Sequence, residues 1–309
     1  MNEFELIARL THSLHANKSV VAGAGDDCAV LDLGVAEKLF LFKADAVVAG
    51  VHFTSDTPPE KIGRKALARA LSDIAAMAGT PDAALVTLGL PKDFDADFVA
   101  KIYAGLNSLA VEYDVAVVGG ETTTNPVILL SIALLGHVPR GKCVLRSGAE
   151  AGDAIFVTGE LGGSLAGRHL DFEPRLAEAC WLAGHFNLHA MIDLSDGLAG
   201  DLQHVLNASK AGAELLKTAI PVSREAKTAA RAGDAAKPPL VAALTDGEDF
   251  ELLFTVAGKD AVPLLDAWKR QFPAIKLSCI GKITSGSGIS LRDARGVEKL
   301  SAHGYVHFS

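Results

Sequence analysis

Acidic residues in this sequence collect at the ends of apolar segments instead of scattering along polar stretches. Asp26-Asp27 follows Gly23-Ala24-Gly25, Asp45 closes the run that begins Leu39-Phe40-Leu41-Phe42, and Asp73 sits inside an apolar helical pattern. Glu121 follows Gly119-Gly120, Asp193 and Asp196 come just after Ala190-Met191-Ile192, and Glu248-Asp249 follows Gly247. An isolated buried carboxylate is costly unless it is paired or bound to a metal. Several of them converging make an oxygen-ligand site for a hard cation, and Mg²⁺ suits that chemistry. Mg²⁺ also neutralises phosphate charge and aligns a phosphoryl group for transfer.

Each of these positions also has a plainer reading. Asp26-Asp27 fits an ordinary turn. Asp73 fits an i,i+4 partner of Arg69. Gly119-Gly120-Glu121 fits a strand-to-loop bend, and Glu248-Asp249 the opening of a strand. Ser195 or Asp196 fits a helix N-cap, which leaves Asp193 unexplained. His52 alone fits a structural histidine. The sequence has no G-x-x-x-x-G-K-[ST], no G-x-G-x-x-G, no HRD or DFG, no G-x-S-x-G and no HExxH, so the common nucleotide and hydrolase motifs are absent. Phosphoryl transfer would therefore rest on the acid clusters. Composition and spacing lead as far as an α/β enzyme with a divalent-metal site.

The elements that must position these acids alternate between strand and helix. Residues 3–16 have helical apolar spacing, and 39–42 reads as a buried strand ending at Asp45. Residues 59–78 carry a wide apolar helical surface, opened by Pro58-Pro59 and stopped by Gly79 and Pro81. A strand at 84–90, a helix at 95–112, a short strand at 115–118 and a long strand at 127–138 follow. After a boundary near 140–150 come a strand at 154–158, a Gly-rich loop at 159–163 and a helix from 164. A helix near 175–184, the segment Ala190-Met191-Ile192-Asp193 and a helix at 197–210 follow these. Residues 231–239 read as a loop. The pattern predicts an α/β chain of two domains, 1–145 and 146–309.

With 309 residues, two domains are the natural division. Apolar residues make up 49%, as in a packed globular protein. The net charge of −8 and a pI near 5.7 argue against a nucleic-acid or anionic-membrane partner. A phosphate substrate stays compatible, because metal ions supply positive charge. The four cysteines are far apart with no CxxC pair, which fits a reducing cytoplasm. The start of the chain predicts no signal peptide, and the apolar run 127–135 is too short to span a bilayer.

The ordered motifs resemble those of the thiamine-monophosphate kinases, a family that belongs with aminoimidazole ribonucleotide synthetase and selenophosphate synthetase. They run Gly25-Asp26-Asp27-Cys28-Ala29, Ala44-Asp45, Ala49-Gly50-Val51-His52-Phe53 and Leu71-Ser72-Asp73-Ile74-Ala75-Ala76-Met77. Next come Gly119-Gly120-Glu121-Thr122-Thr123, Arg146-Ser147-Gly148-Ala149 and Ile192-Asp193-Leu194-Ser195-Asp196-Gly197-Leu198. Gly247-Glu248-Asp249-Phe250-Glu251-Leu252-Leu253, Gly304-Tyr305 and His307-Phe308 complete the set, which covers essentially the whole length.

The resemblance implies a two-domain aminoimidazole ribonucleotide synthetase-like fold whose N-terminal sheet pairs across a homodimer. It implies ATP- and Mg²⁺-dependent conversion of thiamine monophosphate to thiamine diphosphate by direct in-line transfer, with several Mg²⁺ ions and no covalent intermediate. By resemblance, Asp27, Asp45, Asp73, Glu121, Asp193 and Asp196 hold metal. Tyr103, Gly120, Arg146 and Ser195 contact ATP, and His52, Glu248 and Tyr305 contact the thiamine phosphate. No catalytic base is assigned. Three departures bear on metal number: Lys43-Ala44 where the family usually has hydroxyl residues, Glu121 where it usually has Asp, and Asp246-Gly247-Glu248-Asp249-Phe250 where Gly-Gly-Glu-Asp-Tyr is usual. The alternatives are another ATP-using enzyme of the superfamily and a thiamine-phosphate-binding protein without activity.

Overall fold

The computed structural model describes residues 3–233 and 237–300. The chain divides into two units, and one of them comprises Ser19–Cys143 with Gly167–Cys180. Its six-stranded sheet is built from β1 (Val20–Ala22), β2 (Ala29–Leu31), β3 (Lys38–Val48), β4 (Thr80–Leu90), β5 (Ala116–Thr124) and β6 (Leu129–Pro139), in the order β1-β2-β3-β6-β4-β5. All neighbours are antiparallel except β4 and β5. The chain opens with a helix, α1 (Glu3–Thr11), which is shorter than its apolar spacing suggested. Strand β5 is longer than expected, running through Gly119-Gly120-Glu121 to Thr124 because it pairs along β4 as far as Leu90.

Helix α2 (Pro59–Ala76) opens on a proline, whose missing N–H costs nothing in a first turn. It closes where Gly79 donates to the Ile74 carbonyl at 2.9 Å. Nearly the whole stretch from Ile62 to Ala76 is buried. Helix α3 (Ala96–Glu112) starts at Asp95, whose carboxylate accepts from the amides of Asp97 and Phe98. The two helices cross through glycines. A Cβ on Gly63 would lie 1.8 Å from the Ile102 carbonyl oxygen, and one on Gly105 would lie 1.8 Å from that of Glu60. On β3, Leu39, Leu41 and Val47 are buried, whereas Phe42 is 47% exposed. Side chains alternate along a strand, and the register puts Phe42 beside Leu135 of β6, and Leu85 of β4 beside Ala133. Leu85 is also 47% exposed, so this second face of the sheet is an open apolar surface.

The other unit holds Val144–Ala166 and the residues from Trp181 onward, together with the start of the chain. Its seven strands are β7 (Ala154–Thr158), β8 (Leu188–Asp193), β9 (Gly212–Leu216), β10 (Leu252–Val256), β11 (Leu277–Thr284), β12 (Gly288–Asp293) and β13 (Gly296–Lys299). They lie in the order β13-β12-β9-β11-β7-β10-β8. Strands β7 and β10 are buried at every residue. Ile155, Val157 and Leu253 join a core with Leu198, Leu202, Val205 and Leu206 of the helix Leu198–Ser209. Phe156 and Phe254 stack on one another at 5.5 Å.

The helix expected from residue 164 does not form. Two 3-10 turns, Ser164–Ala166 and Arg168–Leu170, stand in its place. Gly162, Gly163 and Gly167 take positive φ, and Gly167 at 137° divides the segment. An α-helix resumes only at Leu176–His185. The crossing of α2 and α3 gives a stability prediction. Gly105→Ala forces backbone apart and should cost about 3 kcal/mol, seen as a lower melting temperature by circular dichroism.

Candidate functional site

In the unit of α2 and β3, three of the acids singled out from the sequence are buried or partly buried in one neighbourhood. Asp27 precedes β2 and is 2% exposed; Asp73, on α2, is 7% exposed. A carboxylate oxygen of each lies within 4.8 Å of the other. Asp45 leaves β3 on the same face as Leu41 and Val47. It accepts from Arg69 Nε at 2.9 Å and from the Ala46 amide at 2.9 Å. Arg69 of α2 thus serves Asp45, and Lys43 of β3 places its Nζ 3.0 Å from Asp73 Oδ2. Burial opposes the Lys43 charge, but the carboxylates of Asp73, Asp45 and Asp27 outweigh it and hold the ammonium above its ordinary range. All the acidic donors are hard oxygens, a set that fits Mg²⁺.

His52 lies just beyond β3. Its Nδ1 accepts from the Val48 amide at 3.1 Å, which leaves Nε2 as the donor. Its carbonyl oxygen accepts from Lys65 Nζ at 2.6 Å. Lys65 is 1% exposed on the buried face of α2 and also donates to His169 Nδ1 at 2.8 Å. It therefore ties the His52 turn to the 3-10 turn Arg168–Leu170. A lysine inside the apolar pattern of 59–78 is the sequence signal for this tether, and no family motif includes it.

Gly120 and Glu121 lie on β5. Gly120 stands in register with Val86, Ile132 and Asp45 across four strands, so about 14 Å of sheet separates it from Asp45. A Cβ on Gly120 would lie 1.8 Å from the Val86 carbonyl oxygen, which explains the glycine. Glu121 is exposed, and its carboxylate accepts from the adjacent Thr122 amide at 3.0 Å. The sheet thus keeps Glu121 apart from Asp27 and Asp73. Tyr103 is partly buried on α3, and burial raises its phenol. Burial, with Asp26 adding to it, pushes the Cys143 thiol up to about 12, so it offers no thiolate nucleophile at neutral pH.

In the other unit three motif loops meet. Asp249, 2% exposed, accepts the Gly162 amide on both carboxylate oxygens, at 3.1 and 2.9 Å. Asp246 accepts the Gly163 amide at 3.0 Å, and Ser164 Oγ donates to the Gly247 carbonyl. Glu251 accepts from Thr158 Oγ1 at 2.7 Å. The Glu248 amide donates to the Ser195 carbonyl at 2.7 Å, and the Phe250 amide to that of Leu194 at 2.8 Å. Glu248 and Phe250 take φ of 63° and 51°. Such backbone persists in non-glycine residues where the surroundings fix it, and the flanking carboxylates of Asp246, Asp249 and Glu251 do so. Asp193, Ser195, Asp196 and Glu248 are thereby gathered in one loop cluster.

Asp201 extends this cluster. It sits in the first turn of the helix Leu198–Ser209, 2% exposed, and accepts the Asp196 amide at 3.0 Å. Burial, then the charges of Asp196 and Asp193, raise its carboxyl well above the ordinary value; the Asp196 amide and Arg146 oppose that rise less strongly. Arg146 is partly buried and lies next to Leu145, whose carbonyl accepts the Met191 amide of β8. The signal for Asp201 in the sequence is an acid in a helix first turn five residues after Asp196, which a helix-start role also accounts for. Tyr305, with Gly304, His307 and Phe308, lies outside the described residues.

The description "AIR synthase related protein, N-terminal domain" matches residues 25–138. The thiamine-monophosphate kinase of Rhodopirellula baltica is 40% identical over 297 residues, covering 93% of this chain and 92% of that protein. The Escherichia coli K12 enzyme of the same name is 35% identical, covering 99% and 98%. The chain belongs to the thiamine-monophosphate kinase family. A solved structure described as AaThiL complexed with AMPPCP and TMP superposes with a TM-score of 0.79 at 31% identity, covering 99% of this chain and 97% of that one. Family membership also accounts for the aminoimidazole ribonucleotide synthetase-like fold.

Two predictions follow from the loop cluster. Asp249→Ala leaves the Gly162 amide without its charged acceptor and should cost about 2 kcal/mol, read by urea denaturation. Asp201 titrates higher in the folded chain than in the unfolded one, so the folded state holds more protons. Its stabilisation is complete below the unfolded value near 3.8 and is lost as pH rises through the raised folded value. In metal-free protein, Asp201→Asn should flatten this fall in urea titrations run upward in pH from the unfolded value.

Proposed function

We propose that this chain phosphorylates thiamine monophosphate to thiamine diphosphate with ATP as donor. Full-length identity with the thiamine-monophosphate kinases carries this reading. The buried, clustered carboxylates supply the chemistry it requires. Asp27, Asp45 and Asp73 would hold Mg²⁺ in one unit, and Asp193 and Asp196 in the other; Glu121, set apart on β5, would take a separate ion. Bound there, Mg²⁺ would offset the charge of the phosphates as the γ-phosphoryl group transfers.

The chain's own residues bind and orient. Ser195, Arg146, Tyr103 and the bare backbone at Gly120 would contact ATP. His52, fixed by Lys65 and by the Val48 amide, would donate from Nε2 to the thiamine phosphate. Glu248 would face the cationic thiamine from its constrained backbone, and Tyr305 would complete that contact. A phosphate monoester, with its second pKa about 6, is already largely ionised at neutral pH. Its oxygen can attack the γ-phosphorus directly, displacing ADP, and no general base is needed. Positioning two anions close together is then the main contribution of the fold.

A homodimer fits the open apolar face bearing Phe42 and Leu85, because a surface of that kind marks an interaction site. A cytoplasmic setting fits the four cysteines, which form no disulfide. No helix among the described residues is long and apolar enough to cross a membrane. One observation favours a second reading, a thiamine-phosphate-binding protein without turnover: Lys43 already sits on Asp73. A coupled ADP-release assay with chromatography of the product separates the two. Thiamine diphosphate should form with ATP and Mg²⁺ and not with EDTA, and Asp73→Asn should lower kcat about 100-fold or more. Tight binding without product would select the second reading.

A further inference from the structure

We infer that Lys43 is a built-in cation of the Asp27, Asp45 and Asp73 cluster, standing where one divalent ion would otherwise sit, so that this chain loads one ion fewer than the same cluster would without it. The inference rests on the reading of these carboxylates as metal ligands. Lys43 comes two residues before Asp45 on β3, and alternation along the strand sends both side chains toward the same face. Helix α2 brings Asp73 to that face, and the Lys43 ammonium lies 3.0 Å from its Oδ2. Asp45 and Asp27 join Asp73 in the field acting on that ammonium. Arg69 meanwhile holds Asp45 through Nε at 2.9 Å. Three carboxylates therefore already face two cations fixed to the protein.

An ammonium and a divalent ion cannot share this position. Mg²⁺ requires a near-octahedral shell of oxygen at about 2.0–2.1 Å, and an ammonium has three donors and no lone pair to offer. Loading an ion onto the bonded oxygen of Asp73 would set two like charges against each other unless Lys43 swung away. The lysine is long enough to stay, and its charge is covalently tethered, so it neither exchanges nor depends on the ion concentration. Such a cluster is partly neutralised before any metal arrives. Two of its three negative charges are offset in the metal-free chain, and fewer ions remain to be captured from solution.

The test compares the wild-type chain with Lys43→Met, which keeps bulk and removes charge, and Lys43→Arg, which keeps charge. Mn²⁺ is titrated into each without nucleotide, and bound ion per chain is counted from the free-ion electron paramagnetic resonance signal. Lys43→Met should bind one Mn²⁺ more than the wild type, and Lys43→Arg the same number as the wild type. In EDTA, Lys43→Met should melt below the wild type, and Mg²⁺ should raise its melting temperature by more than it raises that of the wild type. Equal stoichiometry and affinity within about twofold for wild type and Lys43→Met would overturn the inference. So would an unchanged count accompanied by a raised KM for ATP, which would make Lys43 a phosphate contact. Product assays separate this failure from that of the parent reading: thiamine diphosphate formed by the wild type with Mg²⁺ keeps the kinase reading, and its absence at saturating Mg²⁺ removes it.

Discussion

Carboxylates buried close together are the constraint around which the rest of this chain is arranged. Two unit charges 5 Å apart at an effective dielectric of about 20 repel by about 3 kcal/mol. Asp27 and Asp73, buried and within that range of each other, cannot remain so without nearby positive charge. Lys43 and Arg69 supply it in one unit. In the other, Asp193, Asp196 and Asp201 crowd together, and the strain shows as the raised carboxyl of Asp201, which backbone amide and Arg146 only partly relieve. Sites of this kind store electrostatic cost in the ligand-free chain and release it when cations and phosphates arrive.

Holding such groups in place demands stiff supports, and one unit provides them by close backbone approach. Gly63 and Gly105 let α2 and α3 touch, which fixes the helix that carries Lys65, Arg69 and Asp73. Gly120 lets β5 lie against the backbone of Val86. In the second unit the support is polar: Asp246, Asp249 and Glu251 clamp Gly162, Gly163 and Thr158. These acids are structural acceptors, and Glu248 lies among them with a φ of 63°. In the run Glu248-Asp249 the second acid faces the scaffold, accepting the Gly162 amide on both oxygens.

Much of the scaffold was legible beforehand. The strand 154–158 and the helices 59–78 and 95–112 have strong periodicity and clear terminal signals, and they formed within a few residues of expectation. The segment after 163 misled because its apolar residues suited a helix, while three glycines with positive φ suited turns. Strand β5 outran its apolar run, since pairing with β4 rather than side-chain character extends it through Gly119-Gly120. Lys65 and Asp201 were invisible as site residues, because a buried lysine and a helix-turn acid each have an ordinary explanation until their partners are seen.

The sequence by itself determined the α/β class, the acids at the ends of apolar segments and, through the ordered motifs, the family. Those features are local, or are read in order along the chain, and need no knowledge of distance. Only tertiary structure decided which charge meets which. Arg69 and Asp73 are on one helix at a spacing that invites a pair, yet Asp45 draws Arg69 and Lys43 draws Asp73 from a strand well away in the sequence. Glu121, adjacent to its motif glycines, lies on β5, three strands over from Asp45 on β3. Charge pairing follows proximity in space, and that proximity is set by sheet order and helix packing, which no spacing in the sequence encodes.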